Sequence, residues 1–230
     1  MRQLPLGVRL RETARFSSFV AGDNDELFER LTNEHAPTTG VWIWGRPGAG
    51  KTHLLQATCA AAGDRGETAA YFDLAAGLVP GVLDGIEAVA VACLDGLELV
   101  SADPAWNAAL FRLYTLLQEA RGRLVVASGP APATLEFALP DLRSRLLAAD
   151  VFQLHELGDE RLVDALQRRA AQRGLELSAD AAAYLLQRLP RDMHTLCHVL
   201  DRLDDASLAA QRRLTLPFVR TALAQRVETE

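Results

Sequence analysis

Lysine is almost missing from this sequence: of its 24 basic residues one is lysine, Lys51, and the rest are arginine. Cysteine is nearly as scarce. Cys59, Cys93 and Cys197 are odd in number, widely spaced and without a C-x-x-C pair, so neither a disulfide framework nor a zinc site is suggested and packed thiols are expected. No apolar run approaches the ~18 residues of a membrane span, and the start, Met1-Arg2-Gln3-Leu4-Pro5-Leu6-Gly7, has no apolar segment long enough for a secretory signal. A cytoplasmic location with no membrane partner is therefore expected. Positive charge is not in excess either. The net charge of -6 disfavours a general electrostatic grip on DNA, so any DNA contact should be local or indirect. What remains is a chain of 230 residues, 49% hydrophobic and without long polar tracts, able to bury a sizeable core.

The one lysine stands at the end of a glycine-rich loop. Gly45-Arg46-Pro47-Gly48-Ala49-Gly50-Lys51-Thr52 fits G-x-x-x-x-G-K-[ST], a P-loop whose backbone amides cradle phosphates while the lysine reaches the β- and γ-phosphates and the Thr52 hydroxyl holds Mg²⁺. A compact ammonium on a flexible stem suits that reach; a planar guanidinium is built for forked contacts. The context is the required one. Val41 to Trp44 reads as a buried strand before the loop, and a helical pattern begins at His53 after it.

Further apolar runs at Ala69 to Phe72, Val89 to Leu94, Leu124 to Ala127 and Val151 to Leu154 read as strands separated by helical patterns such as Trp106 to Ala120. This alternation predicts an α/β core, a mostly parallel sheet with helices on both faces. After Leu154 the strands stop. Arg161 to Arg173, Ala179 to Leu189, Met193 to Leu208 and a short helix from near Pro217 predict an all-helical lid, with Gly174 ending the first helix and Ser178 or Asp180 capping the second. The expected division is a flexible leader over 1–15, a nucleotide-binding core over 16–155 and the lid over 156–230.

Val89-Ala90-Val91-Ala92-Cys93-Leu94-Asp95 has the form of a Walker B strand, about forty residues beyond the P-loop, whose Asp95 helps hold Mg²⁺. A turn-starting Asp is the plainer alternative. Gly96 follows where ATPases of this class usually place a water-orienting Glu, so nucleotide binding should exceed hydrolysis. Ser128 ends the next strand with a hydroxyl suited to sensing phosphate or, equally, to starting a turn with Gly129-Pro130.

With these motifs the chain resembles the DnaA-related AAA+ ATPases of bacterial replication initiation, and among them the Hda group of DnaA inactivators. The likeness rests on Phe16-Ser17-Ser18-Phe19-Val20 with Gly22-Asp23-Asn24, the P-loop continued through His53-Leu54-Leu55, Leu139-Pro140-Asp141-Leu142, and Ala209 to Val219. The resemblance implies a P-loop AAA+ core with a C-terminal lid, holding ADP or ATP with Mg²⁺. Phe19, Asn24 and the P-loop with His53 become nucleotide contacts, Ser128 the first sensor, and Arg145 an arginine finger acting in trans on ATP-bound DnaA. His194 stands where the family has its second-sensor arginine, with Arg191 as the possible substitute. Gln3, Leu4 and Leu6 resemble the start of a peptide that binds the DNA polymerase sliding clamp, its beta subunit, although the aromatic that ends many such peptides is missing. DNA would then be met mainly through the clamp, and homo-oligomerisation is left open. The implied function is negative regulation of DNA replication initiation with weak intrinsic hydrolysis. A self-sufficient ATPase such as a helicase loader is the alternative. A DNA-binding initiator relative is opposed by the acidity and by an end about a dozen residues after Phe218, which leaves no room for a reader domain.

Overall fold

Five short apolar runs supply the sheet of the computed structural model, which describes residues 14–33, 40–86, 88–171, 173–190, 193–210 and 214–224. The strands are β1 (Gly40–Trp44), β2 (Ala69–Asp73), β3 (Val91–Asp95), β4 (Arg123–Ser128) and β5 (Asp150–Gln153). All pair in parallel, in the order β2-β3-β4-β1-β5. Parallel strands need crossovers, and β1 to β4 lie buried on both faces, which is why their runs are continuously apolar, whereas β5 at the edge alternates half-buried and exposed residues. Trp42, Leu94, Leu124 and Val126 point to one face, against helices α3 (Pro104–Glu119) and α4 (Pro140–Leu147). Ile43, Val91, Cys93 and Val125 point to the other, against α1 (Asp25–Thr32) and α2 (Lys51–Asp64).

Each core helix is set by local chemistry. Helix α2 is buried over six consecutive residues, Leu54 to Cys59, because it crosses the middle of the sheet; the Thr58 hydroxyl donates to Leu54 O at 2.8 Å within it. Helix α3 starts at Asp103, whose carboxylate accepts from Ala105 N at 2.7 Å and Trp106 N at 3.1 Å, with Pro104 in the first turn where its missing N–H costs nothing. Asn107, fully buried, donates to Ser101 O and Asp103 O and accepts from Leu139 N at 3.0 Å, tying the entry of α4 to the loop after β3. Strand β3 begins two residues later than the apolar run predicts. Val89 N–H bonds back to Ile86 O, closing a turn before the strand.

The chain divides into two compact units, one formed by Asn24–His155 with the segment ending at Phe19, the other by residues from Glu156 onward with Val20–Asp23. The second is all helical: α5 (Asp159–Ala171), α6 (Ala179–Arg188), α7 (Met193–Ala210) and α8 (Leu216–Ala224). Leu162, Leu166, Leu185, Leu196, Leu200 and Val219 make its core. Ser178, not Asp180, caps α6, its hydroxyl accepting from Ala181 N at 3.3 Å. Gly174 takes φ +73° just after α5, a left-handed turn that suits glycine. Among the described residues no helix is long and apolar enough to cross a membrane.

Candidate nucleotide site

The carboxyl ends of β1, β3 and β4 lie side by side, and every polar group of the candidate site leaves from them. Leaving β1, Gly45 donates its N–H to Ser128 O at 3.2 Å, and a Cβ on it would stand 2.6 Å from Leu154 O, so no side chain fits. Gly50 takes φ +111°, and its Cβ would meet the Phe19 ring at 3.0 Å. Between them Arg46, Pro47, Gly48 and Ala49 turn, Ala49 N–H bonding Arg46 O. Gly50 offers no side-chain cap to α2, and no acidic residue sits in that helix's first turn. The helix therefore opens with uncapped N–H groups and the positive end of its dipole at the loop, an arrangement that attracts phosphate.

Lys51 Nζ donates to Gly45 O at 2.6 Å and Arg46 O at 2.9 Å. Burial pushes its pKa down, while Asp95 and Glu98 nearby oppose that shift. Thr52 Oγ1 donates to Asp95 Oδ2 at 2.5 Å, joining the ends of α2 and β3. The Asp95 carboxyl is pushed up by burial, opposed by hydrogen bonds from Thr52 and from the Tyr71 phenol, whose oxygen lies 3.0 Å from Oδ2. No group of three or more His, Cys, Asp or Glu among the described residues forms a metal cage. Thr52 and Asp95 instead bring two hard oxygens together, the partial set Mg²⁺ takes when phosphates and water complete its shell.

Gly96 has φ +87°, a conformation side chains rarely adopt, and its Cβ would press on Leu99 at 3.2 Å. Two residues on, inside the short helical turn Leu97–Leu99, stands another carboxylate, Glu98, a residue the motif reading passed over. Glu98 Oε1 accepts from Gly129 N at 3.0 Å and the second oxygen is buried without a protein partner. The Ser128 hydroxyl, wholly buried, accepts from Trp42 Nε1 at 2.9 Å and donates to Pro130 O at 2.8 Å. That is the turn-forming role weighed against the sensor, and Glu98 is the polar side chain that bridges the ends of β3 and β4.

At the entry, Phe19 stacks on Phe28 with ring centroids 6.1 Å apart and tilts over His53 at 5.7 Å. His53 Nε2 lies 3.0 Å from Arg15 O and 3.2 Å from Ser18 Oγ. This aromatic cluster borders Gly50, and Phe28 had no motif to announce it. The Asn24 amide donates to His155 O at 3.0 Å and accepts from His155 N at 2.7 Å, pinning the start of α1 to the end of the core.

Arg145 lies against α3, its guanidinium 4.3 Å from the Phe111 ring centre and 3.1 Å from Thr115 Oγ1, while Arg143 on the same helix is exposed. Gln3, Leu4, Leu6 and Arg191 lie outside the described residues, as does the His194 side chain.

Residues 159–223 match the family model of the Hda lid domain. Domain III of the Thermotoga maritima replication initiation protein DnaA has a similar structure, with a TM-score of 0.78 at 17% identity over 95% of this chain and 98% of that one. For AMPPCP-bound DnaA from Aquifex aeolicus the TM-score is 0.70 at 21% identity, over 86% of this chain and 66% of that one. The Thermotoga maritima RuvB Holliday junction branch migration motor gives 0.67 at 16%, over 91% and 73%. This chain thus spans just under two thirds of the longer DnaA chain, and the fold all of them share is the AAA+ fold.

Replacing Lys51 by Ala should weaken binding of both ADP and ATP by about 10- to 100-fold, the worth of a charge-assisted contact of roughly 1.5–3 kcal/mol. Titration of a labelled nucleotide checks this, and unchanged affinity for both would mean that backbone alone holds the phosphates.

Proposed function

We propose that this chain, an Hda/DnaA-related AAA+ protein, binds an adenine nucleotide at residues 45–52 and inactivates the initiator DnaA by making it hydrolyse its ATP, so preventing re-initiation of chromosome replication. The observation that carries the reading is an Hda-type lid following a P-loop whose backbone is shaped for phosphate. The AMPPCP held by the Aquifex DnaA of the same fold supports nucleotide binding here. Lys51 would exchange its two carbonyl partners for phosphate oxygens, and Thr52 with Asp95 would hold Mg²⁺.

Arg145 is the residue assigned to act on the partner. Its guanidinium packs on Phe111 and donates to Thr115 Oγ1. Leaving the Phe111 face and the Thr115 hydroxyl costs about 1–2 kcal/mol. A finger returns roughly 10³ to 10⁵ in rate, about 4–7 kcal/mol, so release is readily offset. Gln3, Leu4 and Leu6 would tether the protein to the DNA-loaded sliding clamp, raising its local concentration near DnaA without a large direct interface.

A second reading, a self-sufficient ATPase such as a helicase loader, gains from Glu98, a carboxylate beside Lys51 where Gly96 supplies none. Steady-state turnover separates the two. The isolated protein is expected to hydrolyse ATP well below ~1 s⁻¹. Turnover at or above that rate, lost in Glu98→Gln, would favour the second reading.

Arg145→Ala should abolish stimulation of DnaA hydrolysis while leaving this protein's nucleotide affinity nearly unchanged and lowering its melting temperature by only a few degrees, about what the lost Phe111 and Thr115 contacts are worth, with Arg143→Ala as the control. Loss of its own nucleotide affinity would mean that Arg145 acts in cis. Deleting residues 1 to 10 should abolish clamp capture and leave nucleotide affinity intact, and a truncated chain that still pulls down the clamp would place the contact elsewhere.

A further inference from the structure

One buried side chain of the site is used by neither the P-loop nor the proposed action on DnaA. Tyr71 sits on β2, opposite Cys93 in the parallel register, and is 5% exposed against the α2 face of the sheet. Its hydroxyl donates to Asp95 Oδ2, the same oxygen that accepts from Thr52. Gln56, also buried on the α2 face, has a side-chain oxygen buried without a partner among the described residues. The Tyr71–Asp95 bond therefore lies at the edge of an otherwise apolar layer of Leu54, Leu55, Cys59 and Cys93.

We infer that Tyr71 is the positioning residue for the carboxylate that would hold Mg²⁺, fixing the orientation of Asp95 through its Oδ2. This rests on the reading of residues 45–52 and Asp95 as a magnesium–nucleotide site. The geometry supports it in two ways. Asp95 comes from the end of a strand and has no helix to fix its rotamer, so two donors on one oxygen leave the carboxylate a single orientation. The Thr52 hydroxyl would be shared with a metal, whereas the hydroxyl of buried Tyr71 donates to Asp95 alone among the described residues. Outer partners of this kind orient the ligands they bond and typically change metal affinity by about 10- to 100-fold when removed.

The experiment is calorimetric titration of the full-length chain with ADP, in EDTA and across a series of Mg²⁺ concentrations. For Tyr71→Phe, which keeps the ring and removes the hydroxyl, the Mg²⁺ concentration giving half of the tightening should rise about 10-fold, with affinity in EDTA within about twofold of the unaltered protein. A purely structural loss would weaken binding in EDTA by the same factor, and that outcome overturns the inference. So does an unchanged Mg²⁺ midpoint. Tyr71→Met, which also lacks the hydroxyl, should move the midpoint in the same direction, and it carries the test if Tyr71→Phe does not fold. If the unaltered protein binds ADP with no dependence on Mg²⁺, the metal-site reading fails and this inference with it, whereas a variant-specific null result strikes the inference alone.

Discussion

At Gly45 the chain leaves β1 between two neighbours that allow it no side chain: Ser128 O receives its N–H on one side and Leu154 O stands where a Cβ would be on the other. The adjoining bond, Leu154 N–H to Trp44 O at 2.7 Å, closes the same seam. Because β1 is an inner strand, flanked by β4 and β5, the loop that follows is held from both sides and cannot slide along the sheet. The start of α2, the reach of Lys51 and the meeting of Thr52 with Asp95 all follow from that fixed exit. In open α/β sheets the crevice at the carboxyl ends, where strand order reverses, is where ligands bind, and here the reversal falls at β1.

Much of this was legible in the sequence because it is local. The P-loop glycines, the strand before them and the helix after them sit within one stretch, and the five apolar runs mark their own strands since both faces of a parallel sheet are covered. Asp95 could be found because a strand ending in a carboxylate is a short pattern. Glu98 could not. Its place beside Lys51 depends on a one-turn helix after β3 and on Gly129 at the end of another strand, contacts separated by 31 residues and more. Tyr71 hid for the same reason: in the sequence it is one aromatic in an apolar strand, and only the β2–β3 register puts its hydroxyl beside Asp95. Phe28 likewise enters the Phe19–His53 cluster through folding alone.

Polar residues that invite a functional role turn out to divide by burial and partners. Ser128 and Asn24 spend their hydrogen-bonding capacity on backbone and Trp42, which is how a tightly packed core keeps buried polar groups satisfied. Glu98 and Gln56 each retain one buried oxygen without a protein partner, an expense of about 1–3 kcal/mol that packing alone does not explain. Among the described residues Arg30 Nη1 and Nη2 on α1 are buried without a partner as well, so unsatisfied polarity is not confined to the candidate site. Substituting Lys51 removes a positive charge that Asp95 and Glu98 both act on.

Lys51 is the only side-chain amine in the sequence. Its ammonium is held by two carbonyl oxygens of the loop. An amine-directed reagent therefore finds one side-chain amine, and it lies at the P-loop. Phosphate bound there would cover that amine, so the labelling rate of Lys51 would report how full the site is.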